Sequence, residues 1–276
     1  MEIGIFINTK RLIMRSIWKG HIRFSLVTIP IQIFNAVDKS NDISFKQLHN
    51  KDNGRVRYKK VCSVCEEEVP HSDIVKGFEY EPDQYVILKK KEFNAIKLKS
   101  NRVIDVESFV DVDEVHPSRF EAVYFIGPNG NIAIKTFNLF RKALLKTKKA
   151  GVGRLILRER EDVVLLTPLD KGIIMYKLRY PYELRSMDDV PDLEDAEVDK
   201  TQLKLAETLI GSLDTPFNKI DFEDRYRDAL LELVDDKVTG KEIVTLSEEV
   251  DSTPVVDIMD ALKKSIEEAK KVKKGT

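Results

Sequence analysis

From Ile17 to about Tyr180, apolar side chains recur at every second position in short runs, the period of a strand with one buried face. Ile22-Arg-Phe-Ser-Leu26 and Ile29-Pro-Ile-Gln-Ile33 set the pattern. Similar runs predict strands at Gln84–Leu88, Val103–Val112, Ala122–Ile126, Asn131–Lys135, Gly153–Arg158, Val163–Thr167 and Gly172–Leu178. Asn53-Gly54, Pro128-Asn129-Gly130 and Asp170-Lys171-Gly172 are turn signals, and Gly127–Gly130 predicts a hairpin between two of the strands. One helix interrupts the region at about Thr136–Lys146, with Phe137, Phe140 and Leu144 on one face. So many short strands without alternating βαβ units predict an antiparallel sheet closed into a barrel. The expected fold class is mainly β with α.

After Tyr180 the period changes. Pro181–Asp199 reads as an acidic linker or surface crossing. Leu203, Ala206, Leu209, Ile210 and Leu213 then mark a helix stopped by Thr215-Pro216. A second helix is expected over Phe222–Thr239, with Tyr226, Leu230, Leu233 and Val234 in register and Gly240 ending it. Lys241–Ser252 reads as a linker. Pro254–Lys271 closes the chain with a stripe of Val255, Met259, Leu262, Ile266 and Ala269. Such a helix is either a docking peptide or packed back on its own domain. Residues 1–13, ahead of Met14, read as a dispensable extension.

A chain of 276 residues makes one large domain or two smaller ones. No apolar run approaches the roughly 18 residues of a membrane-spanning helix. Two cysteines and no secretory signal exclude a disulfide framework and point to a reducing, cytoplasmic compartment. The net charge of −1 conceals a segregation of charge. Lys46–Lys60 holds six basic residues against Asp52 alone, and Lys135–Arg160 holds nine against Glu159 alone. Glu183–Asp199 holds eight carboxylates against Arg185. Two basic stretches predict a polyanion-binding surface if the fold brings them together.

Catalytic signatures are missing. There is no phosphate-binding G-x-x-x-x-G-K-[ST] loop and no G-x-S-x-G elbow, and Gly151-Val-Gly153 does not extend to a dinucleotide fingerprint. Asp105, Glu107, Asp111 and Asp113 fit the exposed face of a strand with Ile104, Val106 and Val112 opposite. Cys62-Ser-Val-Cys65 is the one ligand-like pair, and a structural Zn²⁺ site needs about two more donors, for which His49 and His71 are candidates. Arg55-Val-Arg57-Tyr-Lys59-Lys60 alternates like a strand with charge along one edge. Arg141, Lys142, Lys146, Lys148, Lys149, Arg154 and Arg158 surround Gly151 and Gly153, whose lack of side chains permits close backbone approach. Lysines and arginines so placed neutralise phosphates, and with no base-reading helix in view the binding is expected to ignore sequence.

Met14-Arg-Ser-Ile-Trp-Lys-Gly-His-Ile-Arg-Phe-Ser-Leu-Val-Thr-Ile-Pro30 resembles the opening of bacterial Ku proteins. The resemblance continues through Phe45–His49, Arg57–Cys62, Asp73–Tyr80, Gln84–Leu88, Leu139–Leu144, Leu178–Arg185 and Thr253–Leu262, in order across about residues 14–262. It implies a non-enzymatic homodimeric ring that threads onto double-stranded DNA ends and works with the ATP-dependent ligase D in non-homologous end joining. The implied layout is a β-barrel core with DNA bridge over 14–185, an acidic crossing and helical dimerisation arm over 186–240, and a linker, ligase-docking helix and short basic tail over 241–276. By this likeness Arg55, Arg57, Lys59, Lys60 and the basic residues of 141–158 line the ring. Leu209, Phe217, Phe222, Tyr226 and Leu230 build the dimer, and Pro254, Val255, Val256, Ile258, Met259 and Leu262 dock the ligase. No cofactor is required, zinc at Cys62 and Cys65 remaining open, and the location implied is the nucleoid. The competing classes are a nucleic-acid-binding zinc protein without end preference and a metal-dependent nuclease.

Overall fold

A computed structural model of the chain describes residues 14–96, 102–157, 160–240, 259 and 261–266. The elements in order are β1 (Trp18–Phe24), β2 (Val27–Asn35), β3 (Lys76–Glu81), β4 (Gln84–Leu88), α1 (Lys90–Ile96), β5 (Val103–Asp111), β6 (Phe120–Pro128), α2 (Asn131–Thr147), β7 (Lys149–Leu157), β8 (Arg160–Leu169), β9 (Gly172–Leu178), α3 (Lys200–Leu213) and α4 (Arg225–Thr239). The described residues divide into two compact units, one through Met187 and one from Asp188.

Seven strands of the first unit close into a barrel in the order β1-β2-β6-β9-β8-β7-β5. Six of its seven seams are antiparallel. The closing seam, β1 against β5, is parallel, so the sheet is mixed where alternation alone predicted an antiparallel one. A parallel pair requires a long connection between its strands. β2 makes the return and residues 36–102 complete the connection to β5, with β3 and β4 forming a separate hairpin within that insertion.

The alternating positions meet inside. Ile22, Ile29, Ile31, Ile33, Ile104, Val106, Ile126, Leu155, Val164, Leu166, Ile173 and Met175 form one buried cluster with Phe137, Phe140 and Leu144 of α2. Because α2 joins the end of β6 to the start of β7, it crosses one end of the barrel and closes it. Asn131–Lys135, expected as a strand, is the first turn and more of this helix. Its alternating Ile132 and Ile134 face solvent, whereas Ala133 continues the buried spacing of Phe137, Phe140 and Leu144. The expected hairpin at Gly127–Gly130 is accordingly a strand-to-helix turn, with Gly130 at φ +81°. The first strand also ends before its predicted limit: Ser25 turns at φ +51° and Leu26 is left exposed at the tip.

The β5–β6 connection, residues 112–119, runs from the α2 end to the opposite end of the barrel. Val115 and Phe120 cover Ala150, Leu165 and Leu178 on the outer wall. Arg179 ties the connection down by donating to the carbonyls of Ser118 (3.0 Å) and Phe120. A bulge in β5 between Val106 and Ser108 shifts the register, and the strand ends at Asp111, so Val112 and Asp113 both lie past it in a 3₁₀ turn. At that bulge Gly153 has no room for a side chain: a Cβ would sit 2.5 Å from the Asp105 carbonyl oxygen. Gly151 and Gly153 therefore serve the approach of β5, rather than a phosphate.

In the second unit Asp199 caps α3 by accepting from the N–H groups of Thr201 (2.9 Å) and Gln202 (3.0 Å), and Asp224 caps α4 by accepting from Arg227 N–H (3.0 Å). The Asp224 cap starts α4 three residues later than the predicted Phe222. Neither helix has a buried residue.

At the barrel end away from α2, Lys177 Nζ stands 3.1 Å from both Asp162 and Glu121, and the Asp162 side chain is only 8% exposed. Burial works against the Lys177 ammonium, but the hydrogen bond to Glu121 and the ion pair with Asp162 prevail and hold its pKa above the usual lysine value. A raised basic pKa contributes stability below the unfolded value and loses it as pH rises through the folded one. Lys177→Met, which strands Asp162, should cost about 3–5 kcal/mol by thermal or urea unfolding at neutral pH. Lys149→Met, at an exposed pair, should cost under about 1 kcal/mol. Lys177→Met combined with Asp162→Leu should recover most of the loss, and the penalty should fade only above the lysine range. Equal costs for the two single variants would contradict the burial argument.

Candidate nucleic-acid interface

Most charges on the barrel wall neutralise each other across strands. Arg23 grips Asp105 with two hydrogen bonds across the parallel seam, Nε to Oδ1 at 3.0 Å and Nη2 to Oδ2 at 2.5 Å, and these hold the Asp105 carboxyl below the usual carboxylate pKa. Arg154 bridges Glu107 (3.0 Å) and Glu161 (2.9 Å), and Lys149 meets Asp111 at 2.7 Å. Asp105, Glu107 and Asp111 are thus an exposed strand face with each carboxylate paired to a cation. Such pairs add little stability, but they remove Lys149 and Arg154 from the pool of free charge. Arg141 is also engaged, donating from Nη1 to the Asp170 carbonyl at 2.5 Å. Arg158 lies outside the described residues.

The unpaired cations are elsewhere. On α2, Lys142, Lys146 and Lys148 are exposed and have no carboxylate partner among the described residues. Lys146 and Lys148 sit at the C-terminal end of the helix, where its dipole favours positive charge. In the insertion, Arg55, Arg57 and Lys60 are exposed and without carboxylate partners among the described residues, while Lys59 pairs with Glu68 at 2.6 Å. Residues 57–60 form no ladder, so the expected charged strand is an extended connector. The insertion leaves from and returns to the barrel end opposite α2. The two basic stretches are therefore rooted at opposite ends of the barrel.

None of residues 36–93 is buried. Phe78, Tyr80, Tyr85 and Ile87 of the β3–β4 hairpin are each more than half exposed, although a hairpin alone is marginal in water. β3 was not legible as a strand because neither face meets a core.

Cys62 and Cys65 lie on a tight turn closed by Cys62 N–H to the Glu67 carbonyl (3.0 Å) and Glu66 N–H to the Cys62 carbonyl (2.9 Å). Backbone N–H groups of Cys65 and Val64 directed at the Cys62 sulfur hold its thiol below the usual cysteine pKa. His49 belongs to another turn, with Nδ1 3.0 Å from Asp52 Oδ1. His71 lies in a separate 3₁₀ turn, His71–Asp73. Among the described residues no three His, Cys, Asp or Glu side chains are gathered closely enough to hold a metal ion.

In the second unit, Phe217, Phe222 and Tyr226 are each at least 70% exposed, with Leu209 and Leu230 half-buried. The Phe217 and Phe222 rings lie 5.3 Å apart. Pro254, Val255, Val256 and Ile258 lie outside the described residues. Met259 and Leu262 are on a short helical stretch and half-buried. No described helix is long and apolar enough to cross a membrane.

The Ku70/Ku80 β-barrel domain family matches residues 23–205. The chain is 38% identical over 258 residues to the non-homologous end joining protein Ku of Archaeoglobus fulgidus, across 93% of this chain and all of that one. It is 37% identical over 260 residues to the protein of that name from Heliobacterium modesticaldum, across 94% of each chain. With the Bacillus subtilis protein of that name it shares 35% identity over 266 residues, 95% of this chain and 85% of that one. Among solved structures, the SPOC domain of human PHD-finger protein 3 aligns with 59% of this chain and 95% of its own, at 11% identity and a TM-score of 0.29, too slight a likeness to carry an argument.

The division between paired and unpaired lysines can be read chemically. Limited acetylation at neutral pH, followed by peptide mass spectrometry, should modify Lys60, Lys142, Lys146 and Lys148 first, then Lys149, and Lys177 last. Equal rates at Lys149 and Lys146 would mean that the wall pairs are open in solution.

Proposed function

The chain belongs to the Ku70/Ku80 β-barrel family, and on that premise we propose that it is a non-enzymatic binder of double-stranded DNA ends in non-homologous end joining. The observation that carries the mechanism is the coreless insertion. Residues 36–93 bury nothing, yet they hold Arg55, Arg57 and Lys60 unpaired among the described residues. A segment of that length without a core gains its order from what it covers. A phosphate backbone provides both the surface and the countercharge. The bridge arches from one barrel end along the DNA, and Lys142, Lys146 and Lys148 add contacts from the other. Lys149 and Arg154, with their charges already matched, are left with a minor part. Contacts of this kind hold phosphates and read no bases.

Closure into a ring requires a second copy. Helices α3 and α4 and the segment between them expose Ile210, Leu213, Phe217, Phe222 and Tyr226, an apolar surface that a monomer would leave in water. Pairing of two such arms is the reading that best accounts for it, with Leu209 and Leu230 at its margin. Recruitment of ligase D then belongs to the stretch from Pro254 to Leu262, which combines an apolar stripe with a helix start.

Threading makes binding depend on a free end. In a mobility-shift competition against labelled linear duplex, unlabelled linear DNA should compete well and covalently closed circles poorly. Equal competition would replace the ring with an open phosphate-binding surface without end preference. Arg55, Arg57 and Lys60 changed together to alanine should lower the slope of log K against log salt by up to about 0.9 per lost contact. The pair Lys149→Ala and Arg154→Ala should leave that slope nearly unchanged. The reverse pattern would move the interface onto the barrel wall.

Deleting residues 254–276 should spare end binding and abolish stimulation of the ligase. Retained stimulation would exclude this stretch as the docking site.

A further inference from the structure

Helix α2 is apolar on two adjacent faces. The first, with Ala133, Phe137, Phe140 and Leu144, is buried in the barrel. The second carries Ile132, Leu139 and Ala143, seven and four positions apart and so on one side of the helix. It faces water: Ile132 is 94% and Leu139 69% exposed. Leu139 and Ala143, together with Phe24 and Val27 of the β1–β2 hairpin and Phe109 of β5, line a groove of about 560 Å³. Its floor is aromatic. Phe24 stacks on Phe140 with ring centres 4.8 Å apart, and Phe109 meets the same ring edge-on at 6.5 Å. Two polar side chains of the lining are already engaged. Thr147 Oγ1 donates to the Ala143 carbonyl of its own helix (2.9 Å), and Lys149 is paired with Asp111.

The rim of this groove is cationic. Lys135, Lys142 and Lys146 lie four, three and seven positions from Leu139, which puts all three in one row along the outer side of the apolar stripe. Each is exposed and has no carboxylate partner among the described residues. We propose that the groove docks an amphipathic helix of a partner protein, whose apolar face fills it and whose edge presents Glu and Asp side chains to Lys135, Lys142 and Lys146. The charge of the rim selects the acidic edge, because three unpaired lysines in a row repel a basic one. The apolar lining selects a helix. A segment entering such a groove loses the water around its backbone, and a helix brings its own hydrogen bonds with it.

The two features divide the work of recognition. Leu139, Val27 and Phe109 offer apolar area that a partner helix would take out of water, and this supplies affinity. The lysine row runs along one side of the stripe only, so it fixes which way round the helix lies. At 17 residues α2 is about 25 Å long, enough for several turns of a partner helix to lie against it. Lys142 and Lys146 are also among the cations assigned to phosphate contacts. A docked acidic helix and DNA would therefore draw on the same charge, and each would weaken the other. That consequence rests on the proposed DNA role; the docking itself does not.

The test uses the full chain and two labelled synthetic helices as long as α2. Both carry leucine at every third or fourth position; one has glutamate along one edge of that stripe, and its twin has lysine there. Fluorescence anisotropy without DNA should show the acidic probe binding at least about tenfold more tightly than its twin, a difference of about 1.4 kcal/mol. The acidic probe should gain helical circular dichroism as it binds. Leu139→Ser should weaken it about tenfold, whereas Leu145→Ser, on the opposite side of α2, should leave it unchanged. Lys135→Glu with Lys142→Glu and Lys146→Glu should reverse the preference between the probes. Unchanged thermal unfolding would show that each variant is folded. An acidic probe that fails to bind, binds no better than its twin, or binds without gaining helix overturns the proposal. So does equal weakening by Leu139→Ser and Leu145→Ser. Sedimentation covers the remaining occupant: a dimer split by Leu139→Ser would make the groove a contact between copies and overturn a separate partner. The probes contain no nucleic acid, so failure here and failure of end binding are distinguishable.

Discussion

The parallel seam between β1 and β5 is the constraint on which the rest of the molecule depends. Two parallel neighbours cannot be joined by a tight turn: β2 carries the chain back to the barrel end where β5 begins, and the insertion fills the link that passes from β2 over β1 to β5. The seam is also the tightest part of the wall. A Cβ on Gly20 would lie 2.2 Å from the Arg102 carbonyl oxygen, which accepts from His21 N–H at 2.9 Å. On the other flank of β5, Gly153 leaves space for the Asp105 carbonyl. β5 is therefore held between two strands that each give up a side chain where it enters, and the bidentate Arg23–Asp105 pair closes the join from outside.

Closing the barrel this way sorts the chain into parts that stabilise themselves and parts that do not. The barrel and α2 bury a contiguous apolar cluster, and the burial of large side chains such as Phe137, Ile33 and Leu166 contributes about 1.5–3 kcal/mol each. The insertion and the α3–α4 arm have no such source. They retain hydrogen-bonded turns, caps and helices, each worth about 1 kcal/mol, and leave their aromatic residues in water. Phe78, Tyr80, Tyr85 and Tyr226 stay exposed on ordered elements, the surface that the proposed DNA and dimer contacts would cover.

The barrel was legible because its strands obey one rule. A wall with one wet face writes its period directly into Ile22, Ile29, Ile31, Ile33, Ile173 and Met175. The same rule misled at Asn131–Lys135, where Ile132 and Ile134 alternate on the solvent side of a helix that buries Ala133 instead. Helix and strand periods agree over five residues; Phe137, Phe140 and Leu144 decide between them. The parallel seam was not legible, since pairing partners far apart in sequence leave no local mark. Nor was the difference between free and engaged cations. Lys148 and Lys149 are adjacent in sequence, yet only Lys149 lies on a strand opposite a carboxylate, Asp111. The Cys62–Cys65 pair was visible by its spacing, but the described residues gather no third His, Cys, Asp or Glu beside it.

The near-zero net charge now has a structural meaning. On the barrel wall, arginines and lysines stand opposite carboxylates, so that face attracts polyanions weakly despite its basic composition. Uncompensated charge is left at the end of α2 and on the connector between the two turns of the insertion. Charge placed on a mobile strand would be spread over many positions and would add little to a specific geometry. Charge placed between two closed turns is held in register. The order of the coreless insertion and its electrostatic grip are thus one problem, and whatever fixes the two turns that flank the connector also fixes Arg57, Lys59 and Lys60.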